Sequence, residues 1–200
     1  MITPPSLILA SGSAARSSML LNAGVSFDKI PADIDEHAIL EQRAETQTVA
    51  FITEELARRK ALHISKQHSS ALVIGSDQTL SFDEEILSKA KSQNDARAKL
   101  MRLRGNAHTL FSSVCVAKGD EILFTHTAQA NLTMHNFSDA FLDDYMKHDP
   151  DALTSCVGAY KIEGAGAWLF SSIQGDVFTI MGMPLLPLLE FLRTEYGFKP

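Results

Sequence analysis

Several short segments hold side chains of types that can work on phosphate. Ser11-Gly12-Ser13-Ala14-Ala15-Arg16 is a run of small residues that ends in an arginine. Where such a run leads from a strand into a helix, its backbone N–H groups and the positive end of the helix dipole suit an anion. Ser11 and Ser13 add hydroxyl donors, and Arg16 can fork onto phosphate oxygens. A tight strand-to-helix turn uses the same residues for steric reasons alone. Asp77 follows Ile74-Gly75-Ser76 at the end of an aliphatic run. A carboxylate there either holds a divalent metal or takes a proton from water, or it only caps a turn. Asp33-Ile34-Asp35-Glu36 sets acids side by side. They repel unless solvent or a cation compensates, so this is a solvated loop or a contact for Mg²⁺. Lys60, in Arg58-Arg59-Lys60, and Lys89, in Ser88-Lys89-Ala90-Lys91, are the cationic candidates. Each also fits a solvated surface.

Other chemistries are disfavoured. A haloacid-dehalogenase-type phosphatase needs its aspartate pair directly after an apolar strand, whereas Asp33 follows Lys29-Ile30-Pro31-Ala32. The seven histidines show no zinc-ligand spacing. The two cysteines, Cys115 and Cys156, have no C-x-x-C spacing. Cys115 lies in Val114-Cys115-Val116 and reads as a buried structural thiol. The absence of a disulfide framework fits a reducing, cytoplasmic compartment. The net charge of −6 argues against sequence-independent nucleic-acid binding, which needs a basic face. No cationic region precedes the first apolar run, so a signal peptide is not expected. No apolar stretch reaches the roughly 18 residues of a membrane span.

The elements that must position these residues follow from periodicity and punctuation. The 200 residues suit a single domain over 1–200. Leu7-Ile8-Leu9-Ala10 predicts a buried strand, and 14–23 predicts a helix with Gly24 as its stop. Thr48 to Ile64 has helical spacing. Ala71 to Ile74 predicts a strand that ends at Gly75-Ser76-Asp77, with Gln78 to Phe82 continuing after a bend. Ser92 to Leu103 predicts a helix with a capping-box variant and Gly105 past its end. Thr109 to Val116 and Ile122 to Thr127 flank Lys118-Gly119-Asp120 as a hairpin. Ser138 caps a helix to about Lys147. Trp168 to Ile173 predicts a strand. Pro184 starts a closing helix to Tyr196, with Gly197 after it. Strands and helices alternate early and hairpins come later, which favours an α/β fold with a mixed sheet flanked by helices.

Together the segments resemble the Maf family of nucleotide pyrophosphatases. Leu7 to Leu20 resembles the opening strand and S-x-S-x-x-R loop, and Asp33-Ile34-Asp35-Glu36 the D-x-D-E segment. Leu56-Ala57-Arg58-Arg59-Lys60-Ala61 resembles L-A-x-x-K-A. Ile74-Gly75-Ser76-Asp77-Gln78 resembles G-x-D-[TQ], with Lys89 at the lysine that follows it. Gly158 to Gly164, Gly175-Asp176 and Met181-Gly182-Met183-Pro184-Leu185 resemble the closing signature.

The resemblance implies an elongated, two-lobed α/β domain with a central cleft, of the Maf and inosine-triphosphatase type, often a homodimer. It implies hydrolysis of a nucleoside triphosphate to monophosphate and pyrophosphate, a house-cleaning role in the nucleotide pool. Asp77 would be the general base, with Asp77 and Glu36 holding a divalent Mg²⁺ or Mn²⁺. Ser11, Ser13, Arg16, Lys60 and Lys89 would hold the triphosphate. The branch acting on dTTP and UTP carries threonine after the catalytic aspartate and glutamine in the closing signature. The branch acting on 7-methyl-GTP carries glutamine and glutamate, as here with Gln78 and Glu163. The chain departs from the family at Ala14-Ala15, where members have Pro-Arg or Pro-aromatic, so Ala15 is a third position bearing on the base. It also departs at Ala90, where a proline is usual, and at Arg16-Ser17-Ser18, which lacks a second basic residue. The rival readings are a non-catalytic nucleotide-binding regulator of septum formation and a phosphatase releasing orthophosphate.

Overall fold

The computed structural model describes residues 5–36, 38–39 and 47–200. It is an α/β chain with a mixed seven-stranded sheet flanked by helices. It divides into two compact units. The first comprises residues 1–78, 112–128 and 182–200, and the second 79–111 and 129–181.

In the first unit, strand β1 (Leu7–Leu9) leads through a loop into helix α1 (Ala14–Asn22). The Ser13 side chain caps that helix by accepting from the Arg16 N–H. Strand β2 (Asp28–Lys29) pairs in parallel with β1. Helix α2 (Val49–Ser65) is capped by Thr48. It buries Ile52, Leu56, Ala57, Lys60, Ala61 and Ile64, the stripe expected of a 3.6-residue period. Strand β3 (Leu72–Phe82) pairs in parallel with β1, Leu9 opposite Ile74. Closing helix α7 (Leu185–Tyr196) ends at Gly197, whose φ of 68° is the left-handed cap that a helix end favours. Ile8, Ala10, Ile64, Ala71 and Val73 form one buried cluster of this unit, and Ala57, Ala61, Cys115 and Ala117 another. Burial pushes the Cys115 thiol up to about 12, which keeps it protonated and inert.

The second unit takes the later part of β3, which pairs antiparallel with β4 (Glu85–Leu87). It also holds α3 (Gln93–Leu103), capped by Ser92, α4 (Asp139–His148), capped by Ser138, and α5 (Pro150–Ser155). A 3₁₀ turn (Ala165–Leu169), β7 (Phe170–Gln174) and α6 (Val177–Met181) follow. The hairpin strands β5 (Ala107–Lys118) and β6 (Glu121–Met134) belong partly to each unit. Strand β7 pairs antiparallel with β6, with Leu132 opposite Ile173. Leu80, Leu100, Leu103, Leu132, Met134 and Leu142 are buried in its core.

Two elements differ from expectation. Residues 72–82 form one continuous strand, so Asp77 lies within β3 rather than at its end. Gly75 reads as a break but serves a close approach to α2 instead. Trp168 lies in the 3₁₀ turn, and the strand starts at Phe170. Gly166 is pressed so closely on the Lys161 backbone that no side chain fits there, and the chain completes this turn before it extends.

Candidate active site

Parallel pairing of β1 and β3 sets the Ser11 loop beside Gly75, Ser76 and Asp77. The Ala10 N–H donates to the Ile74 carbonyl at 2.8 Å, fixing the two chains just before the site. Parallel strands place ligands beyond their carboxyl ends, and the Ser11 loop lies at that end of β1.

Asp77 is buried, 7% exposed, and its carboxylate meets the ammonium of Lys60 from α2. The same Nζ lies 2.6 Å from Glu36 Oε1. Lys60 is itself 7% exposed. One buried cation therefore holds two carboxylates from distant parts of the chain. Such a pair survives burial only because each charge is compensated. Of the other acids in the 33–36 segment, Asp35 accepts from the Ala38 N–H at 3.0 Å and caps its own turn. Asp33 is exposed.

Arg16 is buried and donates mainly to the main chain. Its Nε donates to the Gly182 carbonyl at 2.8 Å. Its Nη1 donates to the Ser76 carbonyl at 2.9 Å and to Ser11 Oγ at 3.1 Å. Burial pulls its pKa down, while Asp77 and Glu36 pull it back up. Ser76 Oγ also donates to the Gly182 carbonyl, at 3.1 Å. Arg16 thus straps the Ser11 loop, β3 and the start of the closing segment together next to the carboxylates. Ser11 Oγ accepts from Arg16 and from the Ser13 N–H, and Ser13 Oγ accepts from the Arg16 N–H. Gly12 is exposed with open space above it, so an anion can approach the loop backbone.

Ala15 and Gln78 are half-buried in the first unit. Gln78 donates to Ser112 Oγ at 3.1 Å. Lys89 and Glu163 belong to the second unit, and both are exposed. The first unit therefore assembles Ser11, Ser13, Arg16, Glu36, Lys60 and Asp77, and the second carries Lys89 and Glu163. Ser76 and Gly182 carry only a weak signal in the sequence, as two small residues inside motifs whose other side chains suggest the chemistry.

The donor set suits a hard divalent cation. Asp77 and Glu36 offer carboxylate oxygens already gathered around one positive charge, and Mg²⁺ or Mn²⁺ binds through few carboxylates plus water and phosphate. Among the described residues no three His, Cys, Asp or Glu side chains cluster as a metal cage. Among the described residues, no helix is long and apolar enough to cross a membrane.

Comparisons with known proteins place the chain in a family. A family model described as "Maf-like protein" matches residues 6–195. A protein of Paramagnetospirillum magneticum named nucleoside triphosphate pyrophosphatase is 45% identical over 194 residues, 96% of this chain and 100% of that one. A protein of Brucella abortus named 7-methyl-GTP pyrophosphatase is 43% identical over 193 residues, 94% of this chain and 96% of that one. Among solved structures, a HAM1 protein from Coxiella burnetii aligns with a TM-score of 0.43 at 13% identity, over 66% of this chain and 74% of that one, too remote to carry weight. With one family model spanning both units and curated relatives matching nearly end to end, the chain belongs to the Maf family.

Proposed function

We propose that residues 1–200 act as one catalytic domain that hydrolyses a nucleoside triphosphate to its monophosphate and pyrophosphate. The observation that carries this reading is the buried Asp77 carboxylate, sharing Lys60 with Glu36 beside the Ser11–Arg16 loop. The names of the relatives support it.

Asp77 is the group that takes the proton as a water oxygen attacks the α-phosphorus. The bond from the α-phosphorus to the bridging oxygen breaks, and pyrophosphate leaves with that oxygen and the electron pair of the bond. No covalent intermediate is needed. Ser11 and Ser13 donate to phosphate oxygens, and the open backbone at Gly12 receives the anion. Lys89 neutralises charge that builds on the leaving group, and Lys60 holds the two carboxylates in place beside the phosphates. Arg16 serves mainly as a strap whose charge stays beside the phosphates. Asp77 and Glu36 would hold Mg²⁺ or Mn²⁺, which supplies positive charge against the phosphate oxygens and the nucleophile. The protein needs that charge: Lys60 and Arg16 cancel Asp77 and Glu36, and the whole chain is at −6. Gln78 and Glu163 favour a 7-methylguanine base, and Ala15 leaves room for others. The reading carries a cytoplasmic homodimer with it.

The test is product analysis on a panel of 7-methyl-GTP, GTP, UTP, dTTP and CTP. Pyrophosphate and monophosphate should appear when Mg²⁺ or Mn²⁺ is added. Orthophosphate as the first product, binding without turnover, or full activity in excess EDTA would each contradict the reading.

A further inference from the structure

Lys99, on α3 of the second unit, is a buried cation, 9% exposed, that the proposed chemistry does not use. Its ammonium donates to two main-chain carbonyls, Ser88 O and, at 2.8 Å, Val157 O. Ser88 directly precedes Lys89. Val157 opens the segment that runs through Gly158, Ala159 and Tyr160 to Glu163. Burial pushes the ammonium pKa down to about 8, with Asp95 acting in the opposite sense. Keeping a charge there is costly, and an apolar side chain of the same length would fill the slot without that cost. What an apolar chain cannot do is bind two carbonyls from two different segments at once.

The second segment is held elsewhere as well. The Tyr145 hydroxyl donates to the Ala159 carbonyl at 2.9 Å, at a residue with a φ of 59° that non-glycine residues seldom adopt. The Tyr160 hydroxyl lies 2.7 Å from His108 Nε2, and Lys161 Nζ donates to Asp149 Oδ1 at 3.0 Å. These contacts fix the shape of the segment. None of them reaches the Lys89 side, which Lys99 does.

We propose that Lys99 is a positioning residue that clamps the segment carrying Lys89 to the segment carrying Glu163, setting the span between a phosphate contact and a base contact of one nucleotide. This rests on the reading that Lys89 and Glu163 face the substrate. Fixed spacing matters because a misplacement of about 1 Å in a binding constellation can cost on the order of 100-fold in rate.

The experiment compares Lys99→Met, Lys99→Arg, Lys89→Met, Glu163→Gln and the double variant Lys89→Met/Lys99→Met. Amide hydrogen exchange is followed over 88–91 and 157–163, and kcat and KM are measured with 7-methyl-GTP and UTP. Lys99→Met should speed exchange in both segments and lower kcat/KM about tenfold. Lys99→Arg, which keeps donors for both carbonyls, should recover most of both effects. The double variant should lose less than the product of the single losses, since the two residues act through one contact. If Lys99→Met does not fold, Lys99→Leu, which also lacks a donor, serves the same comparison. Unchanged exchange in either segment, or a lower Tm with wild-type kcat/KM, would overturn the clamp. If Lys89→Met and Glu163→Gln both keep wild-type kcat/KM, the reading of those two side chains fails independently of what exchange shows for Lys99.

Discussion

Gly75 on β3 lies against the carbonyl oxygen of Ala57 on α2, closer than any side chain at position 75 would allow. A Cβ there would run into that oxygen and come within 2.9 Å of the Ala61 Cβ. Ala57 and Ala61 flank Lys60 on the helix, and Gly75 is two residues before Asp77. Small residues on both sides thus let α2 come near enough for Lys60 to reach Asp77.

Gly75→Ala is therefore expected to be harmful well beyond its single methyl group. The atoms it meets are mostly backbone and cannot swing aside. The loss of stability should be about 1–3 kcal/mol, the usual scale of overpacking. Turnover by the protein that still folds should also fall, because Lys60 and Asp77 move apart. Thermal melting together with pyrophosphate release per folded molecule checks this; wild-type values for both would mean that the close approach is not needed.

His108 predicts an acid weakness in the second unit. It is 3% exposed, and its Nδ1 has no hydrogen-bond partner among the described residues. Burial lowers its pKa from 6.5 to about 4. Between these values the unfolded chain binds the proton and the folded one does not, so stability falls as pH falls. The contribution is complete above about pH 6.5, and about 3 kcal/mol of it is lost by pH 4. Carboxylate pairs add their own acid loss, so the informative quantity is the difference between proteins. His108→Gln should show a shallower decline from pH 6.5 to 4 in urea unfolding, even if it starts less stable. Equal slopes would remove His108 as the cause.

Glu163 should read the base. A carboxylate accepts two hydrogen bonds and donates none. The Watson–Crick edge of guanine offers two adjacent donors, and methylation at N7 adds positive charge to the ring. Uracil offers one donor between two acceptors, which would face a negative charge. Glu163→Gln should lower the ratio of kcat/KM for 7-methyl-GTP over UTP by about tenfold or more, since mismatched polar groups go unpaired. An unchanged ratio would mean that Glu163 does not contact the base.

Much of this is legible in the sequence where the cause is local. Thr48, Ser92 and Ser138 announce their helices because a cap needs only its own first turn. The alternation of early strands and helices gives the mixed sheet. What depends on distant partners is not legible. Arg16 has the right type for phosphate, yet its donors go to residues 60 and 166 positions away, which no local pattern announces. The glycine at 75 looks like a strand end because its helix partner is invisible in the sequence. Lys99 leaves a faint signal, a charged residue on the same helix face as Ala96, Leu100 and Leu103, all buried. A lysine among buried neighbours at helical spacing asks for a partner, but the sequence does not show that the partners are the Ser88 and Val157 carbonyls.

The whole mechanism depends on Asp77 taking the proton from the attacking water. Asn at this position keeps the size and a hydrogen-bonding oxygen but cannot accept the proton, and it is a poorer ligand for a divalent metal. Lys60 keeps Glu36 as a partner, so the fold should hold. The decisive measurement is pyrophosphate release by Asp77→Asn on 7-methyl-GTP with added Mg²⁺, beside its circular dichroism and melting curve. A folded Asp77→Asn protein should lose about 100-fold or more in kcat; turnover near the wild-type rate from that same folded protein would mean that Asp77 is not the base.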